Sequence, residues 1–153
     1  MAKGLYFEEF EPGQVIEHSL TRTVTETDNV LFSSMTLNPA KLHLDAHYCE
    51  TETPWGKPLV NSLFTLGLMI GISVHDTTYG TTLANLGMSD VKFPAPLFHG
   101  DTINVKTTVI EKRESKSRSE AGIVTFRHEA FKQSGELVAA CDRQAFMLKK
   151  KIA

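Results

Sequence analysis

The chain has 153 residues, 41% apolar and 22% charged, which is enough for one buried core and gives no reason to expect a second domain beside 1–153. A formal net charge of −2 supplies no general pull toward nucleic acid, and two cysteines, Cys49 and Cys141, are too few for a disulfide framework and lack metal-ligand spacing. Acids stand near the start where a signal peptide needs an apolar run, and the longest apolar stretch falls short of the roughly 20 residues of a membrane span. The expectation is a cytoplasmic protein with reduced thiols and no membrane or nucleic-acid partner.

Residues 7–13 form an acidic, aromatic lead-in that ends in a Pro12-Gly13 turn, and residues 15–24 carry enough β-branched side chains for a first strand. Thr25 with Asp28 three positions on fits a capping box, after which Val30, Leu31, Ser34 and Met35 place the apolar face of a short helix. That helix must stop near Asn38-Pro39, because the residue before proline is pushed out of the α region. Residues 40–56 read as a polar loop with one helical turn at most.

Residues 58–74, PLVNSLFTLGLMIGISV, are apolar nearly throughout, so no solvated stripe remains at period 3.6. They predict a helix buried on all sides, with Pro58 in its first turn. The chain then turns to strands, expected at residues 81–93, 101–113, 122–132 and 137–148. The clearest is the second of these, with Ile103, Val105, Thr107 and Val109 on one face. A charged hairpin tip at 114–120 and a tight Ser134-Gly135 turn join these strands, and the tail KKKIA is expected to fray. One antiparallel sheet curled around one helix is the α+β architecture this implies, with function at the helix N-terminus, where Asn61 and Ser62 interrupt the apolar run.

The order of a strand, a short helix, FSSMTLNPAKLHLD, a buried helix and long strands resembles the MaoC-like dehydratase and R-specific enoyl-CoA hydratase family, which has the hot-dog fold. Phe32, Thr36, Leu42, His43, Asp45 and Tyr48 fall on its hydratase signature without a gap. PAPLFHGDT resembles its turn into the next strand, and Gly135-Glu136 its later hairpin. Leu37 stands where the family has glycine, Asn38 where it has the catalytic aspartate, and Asn61-Ser62 where it has a His-Gly pair. The Leu37-Asn38-Pro39 loop is most similar to the branch with mesaconyl-CoA hydratase and methylmalyl-CoA dehydratase types.

The resemblance implies a hydro-lyase acting on an enoyl-CoA or 3-hydroxyacyl-CoA thioester, with coenzyme A as part of the substrate, no other cofactor, and a homodimer or higher homo-oligomer. Such a reaction needs a base for water, a proton for the α-carbon and donors for the enolate oxygen. The resemblance makes His43 the base and assigns the oxyanion to the backbone N–H of Ser62. Asn38, which cannot exchange a proton at neutral pH, would hold the water. Asn61 and Lys41 are candidate acyl contacts, and Arg113, Lys116 and Arg118 candidate partners for the coenzyme A phosphates. Each has a plainer reading: a helix cap for Asn61, a solvated charge for Lys41 and the hairpin tip. His47, four residues on, is a candidate to share the proton transfer with His43, and both it and Asp45 read equally well as solvated or capping groups. Two other functions stay open, a hot-dog thioesterase using Asp45 and an acyl-CoA-binding protein that hydrates poorly.

Overall fold

The computed structural model describes residues 4–150. After a single 3-10 turn at Phe7–Glu9 come strands β1 (Val15–Glu17) and β2 (Arg22–Thr23), then helices α1 (Glu26–Met35), α2 (Lys41–Leu44), α3 (Ala46–Glu52) and α4 (Ser62–Val74). Strands β3 (Thr82–Lys92), β4 (Thr102–Glu114), β5 (Ala121–Lys132) and β6 (Leu137–Leu148) complete the order. They form one antiparallel six-stranded sheet in the order β1-β4-β5-β6-β3, with β2 also on β4. The sheet curls around α4, the hot-dog arrangement.

Alternation puts Ile103, Val105, Thr107 and Val109 of β4 on the buried face, as the period-2 pattern predicts. That face carries two apolar clusters. One packs Val60, Met69 and Ile72 of the helical side against Ile103, Val105, Ala130 and Ala139. The other gathers Phe7, Phe10, Val109, Phe126 and Met147 at the far end.

Several expectations are corrected. The first strand is two short ones, because His18 turns inward between them and its side chain is fully enclosed. Residues 40–56 hold two helices, the second opened by Asp45, whose side chain accepts from Tyr48 N–H at 2.9 Å. Helix α4 starts at Ser62 and not at Pro58, because Leu59 bridges to Phe98 and Val60 N–H donates to Leu97 O at 2.9 Å, holding this approach extended. Nor is α4 covered all round: Leu63, Gly67 and Gly71, at spacing four, face outward, with Leu63 59% exposed.

Helix α1 is capped as predicted, with Thr25 and Asp28 in a reciprocal box, but it packs by the other face. Val30, Leu31, Ser34 and Met35 are exposed while Asn29 and Ser33 are buried. Of the tail, Lys149 N–H donates to Glu120 O at 2.9 Å and Lys150 Nζ meets Glu9 Oε1 at 2.8 Å; its last three residues, 151–153, lie outside those described.

Candidate active site

The site is built where α1, the α2 turn and the approach to α4 meet, and Asn29 ties them together. Its Oδ1 accepts the N–H of Asn61 at 2.8 Å, which fixes the amide orientation. Its Nδ2 lies 3.2 Å from His43 O, 3.1 Å from Leu59 O and 3.0 Å from His99 Nε2, three acceptors sharing two hydrogens. One side chain thus holds the backbone of two other segments and the His99 ring.

His43 sits in α2, and its Nδ1 lies 2.7 Å from Leu59 O. A carbonyl only accepts, so Nδ1 carries the hydrogen and Nε2 keeps its lone pair. That is the tautomer a general base needs. Leu59 therefore orients the ring with its carbonyl while its side chain lines an apolar cleft beside the α4 N-terminus.

At that N-terminus the Asn61 N–H is taken by Asn29 and the Leu63 N–H by Asn61 Oδ1 at 3.0 Å. Ser62 N–H, the first of the helix, makes no hydrogen bond among the described residues, so it is free to donate at the positive end of the helix dipole. Ser62 also lines the cleft, of about 180 Å³, whose walls include Trp55, Val60, Phe93, Leu97 and Val138 and no charged residue.

The remaining sequence candidates divide. Asn38 follows a Schellman end to α1, in which Asn38 N–H donates to Ser33 O at 2.9 Å and Leu37 N–H to Ser34 O at 3.1 Å. Its Oδ1 accepts from Ala40 N–H at 3.0 Å, so the carboxamide oxygen shapes the turn and Nδ2 remains for a ligand. Asn61 is a cap: Oδ1 on Leu63 N–H, Nδ2 3.3 Å from Ser33 Oγ, and the residue buried. Both ends of its carboxamide are engaged in holding the start of the helix. Lys41 turns to Asp45, 3.9 Å away, and to the Tyr48 ring.

Arg113, Lys116 and Arg118 lie at the β4–β5 tip, with Arg118 paired to Glu120 at 3.3 Å. Arg113 is eleven residues beyond Thr102, roughly 35 Å of extended strand at about 3.3 Å per residue. Cys49, beside the α2 turn, gives its Sγ–H to Leu42 O at 3.3 Å, and burial holds the thiol pKa above its usual value. It is no nucleophile. Among the described residues no cluster of His, Cys, Asp or Glu is placed to hold a metal ion, and no helix is long and apolar enough to cross a membrane.

Sequence reasoning missed Asn29, Ser33 and His99. The first two sit four apart on α1, a buried polar stripe that a hydropathy pattern assigns to solvent.

A mesaconyl-CoA hydratase from Cereibacter sphaeroides is 31% identical over 152 residues, covering 98% of this chain and 43% of that protein. The chain thus spans less than half the length of that curated relative. The crystal structure of a monoamine oxidase regulatory protein from Archaeoglobus fulgidus superposes with a TM-score of 0.86 at 33% identity, over 99% of each chain. A double hot-dog protein from Mycobacterium tuberculosis superposes at 0.86 and 24% identity, covering 98% of this chain and 46% of that one, and bears on the fold alone. The MaoC like domain family matches residues 8–130, and the chain belongs to that family.

Proposed function

We propose that the chain adds water reversibly across the double bond of an enoyl-CoA thioester. The observation that carries this reading is the bond from His43 Nδ1 to Leu59 O, which leaves Nε2 as a base beside the segment leading to the free Ser62 N–H. In the forward direction His43 Nε2 takes a proton from water and the hydroxyl oxygen bonds to the β-carbon. The π electrons shift to the thioester oxygen, which Ser62 N–H stabilises as an enolate. The imidazolium then returns a proton to the α-carbon as the thioester carbonyl re-forms. Asn38 Nδ2 is the group we assign to holding the water.

The uncharged cleft favours a short hydrocarbon acyl group over the dicarboxylic acyl group named for the Cereibacter relative. Its volume is of the order of the ~150 Å³ apolar cavity that accepts benzene. Asp45 is spent on capping α3, which disfavours the thioesterase reading.

A homodimer is part of the proposal. Edge strand β3 is exposed along its whole length and presents Leu83, Leu86, Met88 and Val91, which pairing with a second copy would cover.

Incubation with crotonyl-CoA and with mesaconyl-CoA, following loss of the conjugated double bond and release of free thiol, tests the reading. Hydration of crotonyl-CoA is expected. Thiol release without hydration would sink it, and binding of crotonyl-CoA without turnover, read through the lone tryptophan Trp55, would leave an acyl-CoA-binding protein.

A further inference from the structure

Between the two apolar clusters the sheet buries a layer of polar groups that the proposed reaction does not use. Asp76 Oδ2 lies 2.9 Å from His18 Nδ1, and His18 Nε2 lies 2.8 Å from Thr107 Oγ1. Thr107 Oγ1 is 2.8 Å from His128 Nδ1, and Arg143 Nε donates to His128 Nε2 at 3.1 Å. The five groups come from the loop after α4, the turn between β1 and β2, and strands β4, β5 and β6.

The two ends fix every hydrogen in between. Arg143 can only donate, so His128 Nε2 is an acceptor and its Nδ1 carries the hydrogen, which goes to Thr107. The ionised Asp76 can only accept, so His18 Nδ1–H donates to it and His18 Nε2 accepts the Thr107 hydroxyl. All bonds run one way, from guanidinium to carboxylate, with both histidines neutral. A proton added at His128 Nε2 sets N–H against the Arg143 N–H and places two cations side by side. That addition breaks the chain inside the core, where an unmet group is costly.

Other charges around the layer do not compensate. His75 Nδ1 is 3.2 Å from the second oxygen of Asp76, Cys141 on β6 is buried and neutral, and Arg143 meets the Phe126 ring with one nitrogen, Nη2, unpartnered among the described residues. On the outer face of the same strands Lys106 pairs with Glu129 at 3.2 Å and Arg127 with Asp142 at 2.7 Å. Burial first, and then Arg143, holds the pKa of His128 well below the ordinary imidazole value, in keeping with this geometry.

We infer that Asp76, His18, Thr107, His128 and Arg143 form an acid-sensitive latch. At neutral pH it clamps the C-terminal end of α4 and the β1–β2 turn to three strands, and a proton taken up by His128 opens that end of the molecule. The N-terminal strap that pairs there, with Gly4 N–H on Tyr79 O and Leu5 N–H on Thr77 O, opens with it.

Two measurements test this on the intact chain. Nitrogen and carbon NMR shifts of the imidazoles at about pH 7.5 should give the Nδ1–H tautomer for both His18 and His128; an Nε2–H tautomer at either would overturn the chain direction and the latch with it. Urea midpoints at about pH 7.5 and about pH 5.5 should fall with acidification in the native chain and in Thr107→Ser. In Thr107→Val, which keeps the shape and loses the hydroxyl, the fall should be at least halved. An undiminished fall in Thr107→Val, or none in the native chain, overturns the inference.

Discussion

Asn29 Oδ1 accepts the backbone N–H of Asn61 at 2.8 Å, so a residue of α1 holds the N-cap residue of the central helix while its amide nitrogen holds the His43 and Leu59 carbonyls. Removing that side chain orphans the Asn61 N–H and the His43 carbonyl in a buried place, and leaves Leu59 O only its bond from His43. Each unmet group costs about 1–3 kcal/mol, so Asn29→Leu should lose ~2–5 kcal/mol of stability in urea unfolding. Asn29→Asp keeps the Asn61 bond but sets a carboxylate oxygen against the two carbonyls, so it should lose at least as much. A loss below about 1 kcal/mol in Asn29→Leu would place the stabilisation elsewhere.

His43 takes its role from the tautomer that Leu59 O imposes. His43→Ala should lower kcat for crotonyl-CoA hydration by about 10²- to 10⁴-fold, the range for a positioned acid–base group, with little change in KM or in the unfolding midpoint. Unchanged turnover would mean that another group is the base.

Asn38 spends its Oδ1 on Ala40 N–H, a bond that an aspartate could make equally well. Asn38→Asp therefore keeps the turn and puts a second proton-transferring group beside the water. A rise in kcat of about tenfold or more, ~1.4 kcal/mol of barrier, is expected. A fall would show that the carboxamide N–H is needed to hold the water.

Strand β3 exposes Met88 at the middle of a long apolar edge. A charge there opposes edge pairing, so Met88→Lys should turn the dimer into monomers in analytical ultracentrifugation without unfolding the chain. A native chain that sediments as a monomer would remove the dimer from the proposal.

The long strands were legible because alternation has one cause, a sheet with a buried face, and β6 came out as read at Leu137–Leu148. His43 was legible only through the resemblance, since one histidine in a polar loop carries no signal of its own. The partners of His43 were hidden for a physical reason. Asn29 is buried because backbone groups of other segments need it, and Ser33 because the Asn61 side chain does, and that demand appears only when the segments meet. The bare stripe of α4 was hidden for the opposite reason: Leu63, Gly67 and Gly71 look like core residues in sequence, and only the sheet's reach decides which apolar face it covers. The split of the first strand followed from His18, whose bonds to Asp76 and Thr107 span 58 and 89 residues.

Leu37 occupies the left-handed region, φ 55°, at the position that closes α1, and it is 88% exposed. Its N–H to Ser34 O and the next N–H to Ser33 O require that conformation, which an L side chain adopts at a cost of about 1–2 kcal/mol. The resemblance places glycine here, and glycine adopts it freely. Glycine also gains more freedom in the unfolded chain, which offsets part of the relief by about 0.5–1 kcal/mol. Leu37→Gly should therefore stabilise the protein by up to ~1 kcal/mol, read as a higher urea midpoint with an unchanged slope. A lower midpoint would mean that the leucine side chain, bare in the single chain, is covered in the assembled protein.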